Sequence, residues 1–455
     1  MKEKSKKIGL FGALTMGIGC IIGSGIFGSL PEVINDVGPG IVWALIASAV
    51  VVILRSIPAT YSTAVLPSSA RYVMHMTKLL HPVVGLLEVF NSFLITSMLA
   101  LYGVLFGEYF LVLFPSCTLS EEFIGCILVV VFCAISLFGN RSTAKLETIM
   151  VVLMAFTLLL YSVLGIGNID ASNISLKDIL APGMSMSGLA VAVGVLSSSL
   201  SGGAIVAEIS DDVKNPKRNI PLTIILCPCI VCVLYIVMAV VTVSVGTDEL
   251  ESLADIAATF MSPGLLIFFV VCGPVLGIIT SFIPFLLSMV AEFEFSAKLR
   301  VLPEFFSKHN KNGVAYWSVV MAMAISIVII LTGQTFGVIM TIFSFANIIE
   351  EAPNTLVPFF AKKKYPKTCA STKTLFPEPV IWVCSVVSFC IMIYLGVELF
   401  ISMDTVSWVG VVATYALGFI YFFIRRAYLI KKKNYDLLKE LGKPYEPWAE
   451  VEKSL

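Results

Sequence analysis

Apolar residues in this chain gather into runs of roughly 20, the length a helix needs to cross a bilayer. Short polar connections separate them. Twelve such runs can be drawn, over 9–33, 41–65, 83–113, 122–139, 146–166, 187–209, 220–245, 263–290, 315–332, 336–360, 379–401 and 406–425. They predict an all-α polytopic membrane protein with twelve transmembrane helices. The connections alternate in charge. Lys4, Lys6 and Lys7 precede span one, Arg71 and Lys78 follow span two, and Arg141 and Lys145 follow span four. Lys214, Lys217 and Arg218 follow span six, Lys298 and Arg300 follow span eight, and Lys362, Lys363 and Lys364 follow span ten. The intervening connections carry acids instead, among them Glu32, Asp36, Glu121, Asp170, Asp248 and Asp404. By the positive-inside rule both termini are cytoplasmic. The lysines before span one also mimic a secretory signal, but the spans that follow favour an uncleaved first helix.

Composition agrees with this reading. Of 455 residues, 58% are hydrophobic and only 13% charged, far from an ordinary soluble domain. The zero formal net charge hides the alternation just described. Most of the 11 cysteines lie inside apolar runs, where thiols act as small hydrophobes, and none has zinc-site spacing. The three histidines, His75, His81 and His309, fall in connections rather than in a cluster. With no phosphate-binding loop and no hydrolase elbow, an enzyme is not expected, nor are a cofactor, a metal or a nucleic-acid partner.

Two spans break their own pattern. Span one contains Gly17-Ile18-Gly19-Cys20-Ile21-Ile22-Gly23-Ser24-Gly25-Ile26-Phe27-Gly28. Each glycine costs a helix interior about 1 kcal/mol relative to alanine. Span six contains Ser197-Ser198-Ser199-Leu200-Ser201-Gly202-Gly203-Ala204, again without a large polar or aromatic side chain. Broken backbone inside a bilayer is tolerated only where protein or a wet cavity receives its polar groups. Glycine-rich stretches can also serve close helix packing. Packing alone would have to recur at matched positions in two halves, because spans one and six enter from opposite sides and each opens a run of five. That pattern points to an inverted-repeat transporter. It divides the chain into a first repeat (1–166), a second repeat (187–360), two extra spans (361–427) and a cytoplasmic tail (428–455).

The residues Gly23-Ser24-Gly25-Ile26-Phe27 and Val213-Lys214-Asn215-Pro216-Lys217-Arg218-Asn219-Ile220-Pro221 resemble the amino acid–polyamine–organocation superfamily of amino-acid permeases. Pro67-Ser68-Ser69-Ala70-Arg71-Tyr72 and Leu302-Pro303 with Phe305-Phe306 support the likeness, which covers spans one to ten. The resemblance implies a LeuT-like fold, two inverted five-helix repeats plus two helices, with alternating access to a central amino-acid site. Amides of Ser24, Gly25 and Ile26 beyond the break at Gly23 would receive a carboxylate, where the helix dipole is positive. Carbonyls of Ile21, Ser198 and Ser201, at the break that Gly202 and Gly203 continue, would by the same analogy receive the ammonium. Relatives that carry cationic amino acids have an aromatic gate and an acid in span six; Ser198 and Ala204 stand there in this chain.

Polar side chains within spans are the remaining candidates. Arg55 needs a partner or water, and Glu88, Glu208, Glu350 and Glu351 are the acids available to it; snorkelling to the interface is the alternative. Glu292 and Glu294 read as solvated. Thr280 and Ser281 in span eight match a hydroxyl pair that, in sodium-coupled relatives, joins span-one carbonyls around a cation, although such hydroxyls also bond their own helix. Span five has no lysine of the kind some proton-coupled relatives use. The expectation is an amino-acid exchanger, or a weakly coupled carrier using Na+ or H+, in the plasma membrane as a monomer or homodimer. A channel or a non-transporting amino-acid sensor is the rival reading.

Overall fold

The computed structural model describes residues 9–23, 25–68, 70–139, 144–169, 179, 183–201, 213–245, 252–372 and 374–454, with the side chains of all but 144–148. Among these residues the long elements are all helices, and His309 and Ala315 pair in an isolated bridge. Eight helical runs are long and apolar enough to cross a membrane: Gly25–Val65, Pro82–Leu113, Ile149–Ile166, Pro216–Val245, Pro263–Lys298, Phe336–Lys364, Glu378–Ser402 and Thr405–Lys433. Leu10–Ile21, Met186–Ser199 and Tyr316–Leu331 are shorter apolar helices.

Local chemistry explains the interruptions. Within Gly25–Val65 the chain turns at Gly38–Gly40, where Gly38 takes φ +51°, a conformation that costs glycine little. Span eight widens into a π turn at Val271–Val275 around Pro274, whose ring cannot fit a regular helical turn. Spans three and four approach until their backbones touch: a Cβ on Gly125 would stand 2.7 Å from the Gly103 carbonyl. Such small-residue contacts substitute for the hydrophobic drive that lipid removes. The interior is aromatic as well as aliphatic. Phe27 beyond the span-one break meets Phe269 of span eight edge-on at 6.1 Å, and Phe269 stacks on Tyr161 of span five at 5.3 Å. Side chains such as Val163, Val233, Val328, Leu417 and Phe423 point outward, as lipid contact requires.

The lysine-rich face is closed by structure that the hydropathy pattern does not show. The last apolar helix continues to Lys433, and two short helices follow, Leu437–Leu441 and Glu446–Ser454. They fold back beneath the bundle. Arg426 grips the Asp436 carboxylate through two bonds of 3.0 Å. The Lys78 amine donates to the carbonyls of Leu441 and Lys443 at 3.0 and 3.1 Å. Glu452 accepts from the backbone N–H groups of Lys367 and Thr368 at 2.9 and 2.8 Å, beyond span ten. Trp448 is buried against His75, Tyr365 and Tyr445. His75 is therefore not an ordinary solvated connection residue. It is fully buried, and desolvation pushes its imidazole down to about 4.

Candidate functional site

The break expected in span one is present. The first half-helix ends at Ile21, and the second begins at Gly25. Ile22 leaves the helical region at ψ 79°, which turns the chain away from the helix axis. The Ile21 carbonyl loses its intrahelical partner and accepts the N–H of Gly23 at 2.8 Å instead. The buried Tyr235 hydroxyl of span seven donates toward the same oxygen from 3.5 Å. Four N–H groups at the start of any helix lack intrahelical acceptors, so the turn beginning Gly25-Ile26 is where an anion would be received. Ile26 is itself buried. Tyr109 of span three ties this half-helix in place by donating to the Phe27 carbonyl at 3.2 Å.

Span six also stops where its serines predict. Its helix runs from Met186 to Ser199, started by the Ser185 side chain, which accepts from the Gly188 N–H. The N–H of Ser201 turns back to the Ser198 carbonyl at 3.2 Å, and the Ser198 hydroxyl is spent on the Val195 carbonyl. The two breaks meet. Ser29 and Ser199 share a buried hydrogen bond of 2.9 Å, and a Cβ on Gly25 would stand 3.4 Å from the Ser199 oxygen. Ser24, Gly202, Gly203 and Glu208 lie outside the described residues.

Arg55 departs from expectation. It is 3% exposed, so it does not snorkel. Nor does it pair with Glu88, Glu350 or Glu351: among the described residues no carboxylate stands within ion-pair distance of it. Its guanidinium instead donates to the Ser197 carbonyl at 3.1 Å, to Asn347 Oδ1 of span ten at 3.2 Å, and to the Ser201 hydroxyl. The reason is geometric. A helix that stops leaves carbonyls unpaired and its negative dipole end exposed, and a planar fork of donors satisfies both.

The hydroxyl pair of span eight divides. Thr280 turns into its own helix, donating to the carbonyls of Leu276 and Gly277 at 3.0 and 3.1 Å, with Met154 of span five beside it. Ser281 faces span one: a Cβ on Gly23 would meet its oxygen at 2.9 Å. Only Ser281 is brought to the break.

The expected acids gather elsewhere, toward the lysine-rich face. Glu350 is buried. Glu351 accepts the Tyr72 hydroxyl at 2.9 Å, and burial pushes the Tyr72 phenol well up, so it serves as a neutral donor. Glu292 is a correction to the sequence reading: it is 1% exposed rather than solvated, and its oxygens accept the N–H groups of Tyr72 and Val73 at 3.3 and 3.2 Å. A carboxylate on the first turn of the Arg71–His75 helix has its dipole interaction as well. Glu88 is equally buried, and its Oε1 has no hydrogen-bond partner among the described residues.

Tyr235, Tyr109, Ser29 and Asn347 were not foreseen from sequence. The usable signal was chemical: a phenol in an otherwise apolar span seeks an acceptor, and the acceptors available inside a bilayer are broken-helix carbonyls.

Comparison with known proteins identifies the family. A family model described as amino acid permease matches residues 8–424. An uncharacterised protein of Methanocaldococcus jannaschii is 27% identical over 255 residues, 55% of this chain and 58% of that protein. The match therefore spans little more than half of that relative's length. The methylthioribose transporter of Bacillus subtilis is 22% identical over 452 residues, covering 93% of this chain and 94% of the relative. The aspartate-proton symporter of the same organism is 22% identical over 256 residues, 54% and 49% of the two chains. The chain thus belongs to the amino acid permease family, a multi-pass membrane transporter and not an enzyme.

Proposed function

We propose that the protein carries amino acids across the plasma membrane by alternating access, with twelve spans in two inverted five-helix repeats plus two helices and both termini cytoplasmic. The single observation that carries this reading is the meeting of the span-one break with the end of the span-six helix, where Gly25 of span one faces Ser199 of span six. Backbone amides beyond Gly23 receive the α-carboxylate, with Ser24 as an added donor, and the span-six serines with Gly202 and Gly203 form the opposite wall. Exchange, or weakly ion-coupled uptake, is the mode the residues favour. Thr280 spends its hydroxyl on its own helix, which weakens the case for a sodium site there. Span five has no lysine to act as a proton-linked cation.

The family allows another substrate. The relative matched over most of the chain carries methylthioribose by its name, and another is named for aspartate and a proton. Uptake into proteoliposomes of the purified chain, with and without internal amino acid and with sodium and pH gradients imposed separately, decides both points. Acceleration by internal amino acid supports exchange. Strong concentrative uptake into empty vesicles driven by a pH gradient refutes it and turns attention to Glu208, Glu350 and Glu351. Failure to move any amino acid refutes the substrate assignment.

A further inference from the structure

Amino-acid recognition at two broken helices ordinarily balances donors against acceptors: amides for the carboxylate, carbonyls for the ammonium. Here the carbonyl ends are already supplied with internal donors. The Ile21 oxygen holds the Gly23 N–H, with the Tyr235 hydroxyl alongside. The Ser198 oxygen holds the Ser201 N–H, and the Ser197 oxygen holds the Arg55 guanidinium. Arg55 brings a full positive charge to the span-six break, and all three of its described acceptors are neutral. The nearest acid along span ten, Glu350, one turn from Asn347, lies in electrostatic range of Arg55 without pairing with it. Glu351 is engaged with Tyr72, and Glu292 with backbone amides, on the side of the lysine-rich face.

Resting on the transport reading above, we propose that Arg55 is a specificity-determining residue and that the preferred substrate is an amino acid whose side chain ends in a carboxylate. The α-carboxylate docks on the span-one amides. The side-chain carboxylate then takes up the positive charge that no carboxylate among the described residues pairs with, exchanging the neutral acceptors of Arg55 for a charge-assisted bond. A lysine or arginine substrate would bring a like charge to the same place, which interfaces penalise heavily.

The test uses the full-length purified chain and competition binding with L-glutamate, L-aspartate, L-glutamine, L-alanine and L-lysine. An acidic amino acid should bind best, with lysine weaker by about 100-fold or more, the scale of a buried like-charge contact. Arg55→Gln should erase the preference for glutamate over glutamine, and Arg55→Lys should keep part of it. Because Arg55→Gln also removes a tie to span six, the glutamate-to-glutamine ratio is read rather than absolute affinity, and thermal shift confirms folded protein. Lysine binding to the natural chain as tightly as glutamate overturns the inference, as does an unchanged ratio in Arg55→Gln. Binding of alanine or glutamine in preference to either acid overturns it too, while leaving amino-acid transport standing. Binding of no amino acid at all overturns the transport reading and the inference together.

Discussion

The two broken helices solve the same problem with different chemistry. At span one the chain leaves the helix and rejoins it within three residues, and the stranded Ile21 carbonyl is met by a neighbouring N–H and a phenol. At span six the helix ends on a serine run, and the stranded Ser197 carbonyl is met by the Ser201 hydroxyl and by a guanidinium from span two. A neutral cap leaves the first break free of fixed charge. A cationic cap gives the second a permanent one and ties span two to span six. On the proposal above, the first break reads what all substrates share, whereas the second tells them apart.

That contrast can be broken most sharply at Gly25. A leucine there would drive a side chain into Ser199, which a mere Cβ already approaches to 3.4 Å. Gly25→Leu is expected to abolish uptake while folded protein remains, and normal uptake by a well-expressed variant would remove the central claim. Next in size is Arg55→Ala. It removes the guanidinium from the Ser197 carbonyl and the Ser201 hydroxyl, which keep their own mutual bond of 2.7 Å, and each lost hydrogen bond from a charged donor is worth about 1.5–3 kcal/mol. A drop in thermal midpoint and weakened binding should appear together, and a midpoint equal to that of the natural chain would show that Arg55 does not hold span six. Tyr235→Phe is the matching test at span one. Its long hydrogen bond is worth at most about 1 kcal/mol, so a small loss is expected, and an effect larger than that of Arg55→Ala would reverse the comparison. The smallest difference lies within span eight. Ser281→Ala should alter substrate or ion dependence modestly because Ser281 adjoins Gly23, whereas Thr280→Ala should change it little. Sodium-driven uptake lost in Thr280→Ala would contradict this ordering.

What could be read without coordinates followed from the solvent. A bilayer forces backbone bonds inside the helix, so hydropathy located apolar helices, of which eight described runs are long enough to cross against the twelve spans expected, and Ile41–Val65 falls on its predicted limits. Glycine cost alone located the span-one break, and the serine run located the end of the span-six helix. Side-chain partnerships were less legible because they join residues remote in sequence. Arg55 and Asn347 are separated by 292 positions. Charge complementarity suggested a carboxylate for Arg55, but a helix terminus is also an anionic partner, and the helix ended beside it. Glu292 misled for a related reason. Its neighbours Glu294 and Lys298 form a salt bridge of 2.5 Å on a more exposed side of the helix, while Glu292 points inward to amides.

The folded-back tail has a consequence of its own. Residues 437–454 grip two connections at once, the one after span two through Lys78 and the one after span ten through Thr368. Because the tail is tethered by the last membrane helix, its docking is intramolecular, with an effective concentration in the millimolar range for a short link. A strap of that kind resists any motion that separates the two connections, and it does so without needing high intrinsic affinity. The same tail supplied as a free peptide at micromolar concentration would therefore leave a chain truncated after Lys433 largely unstrapped. Cleavage at Asn434 would act as a one-way release rather than a reversible switch.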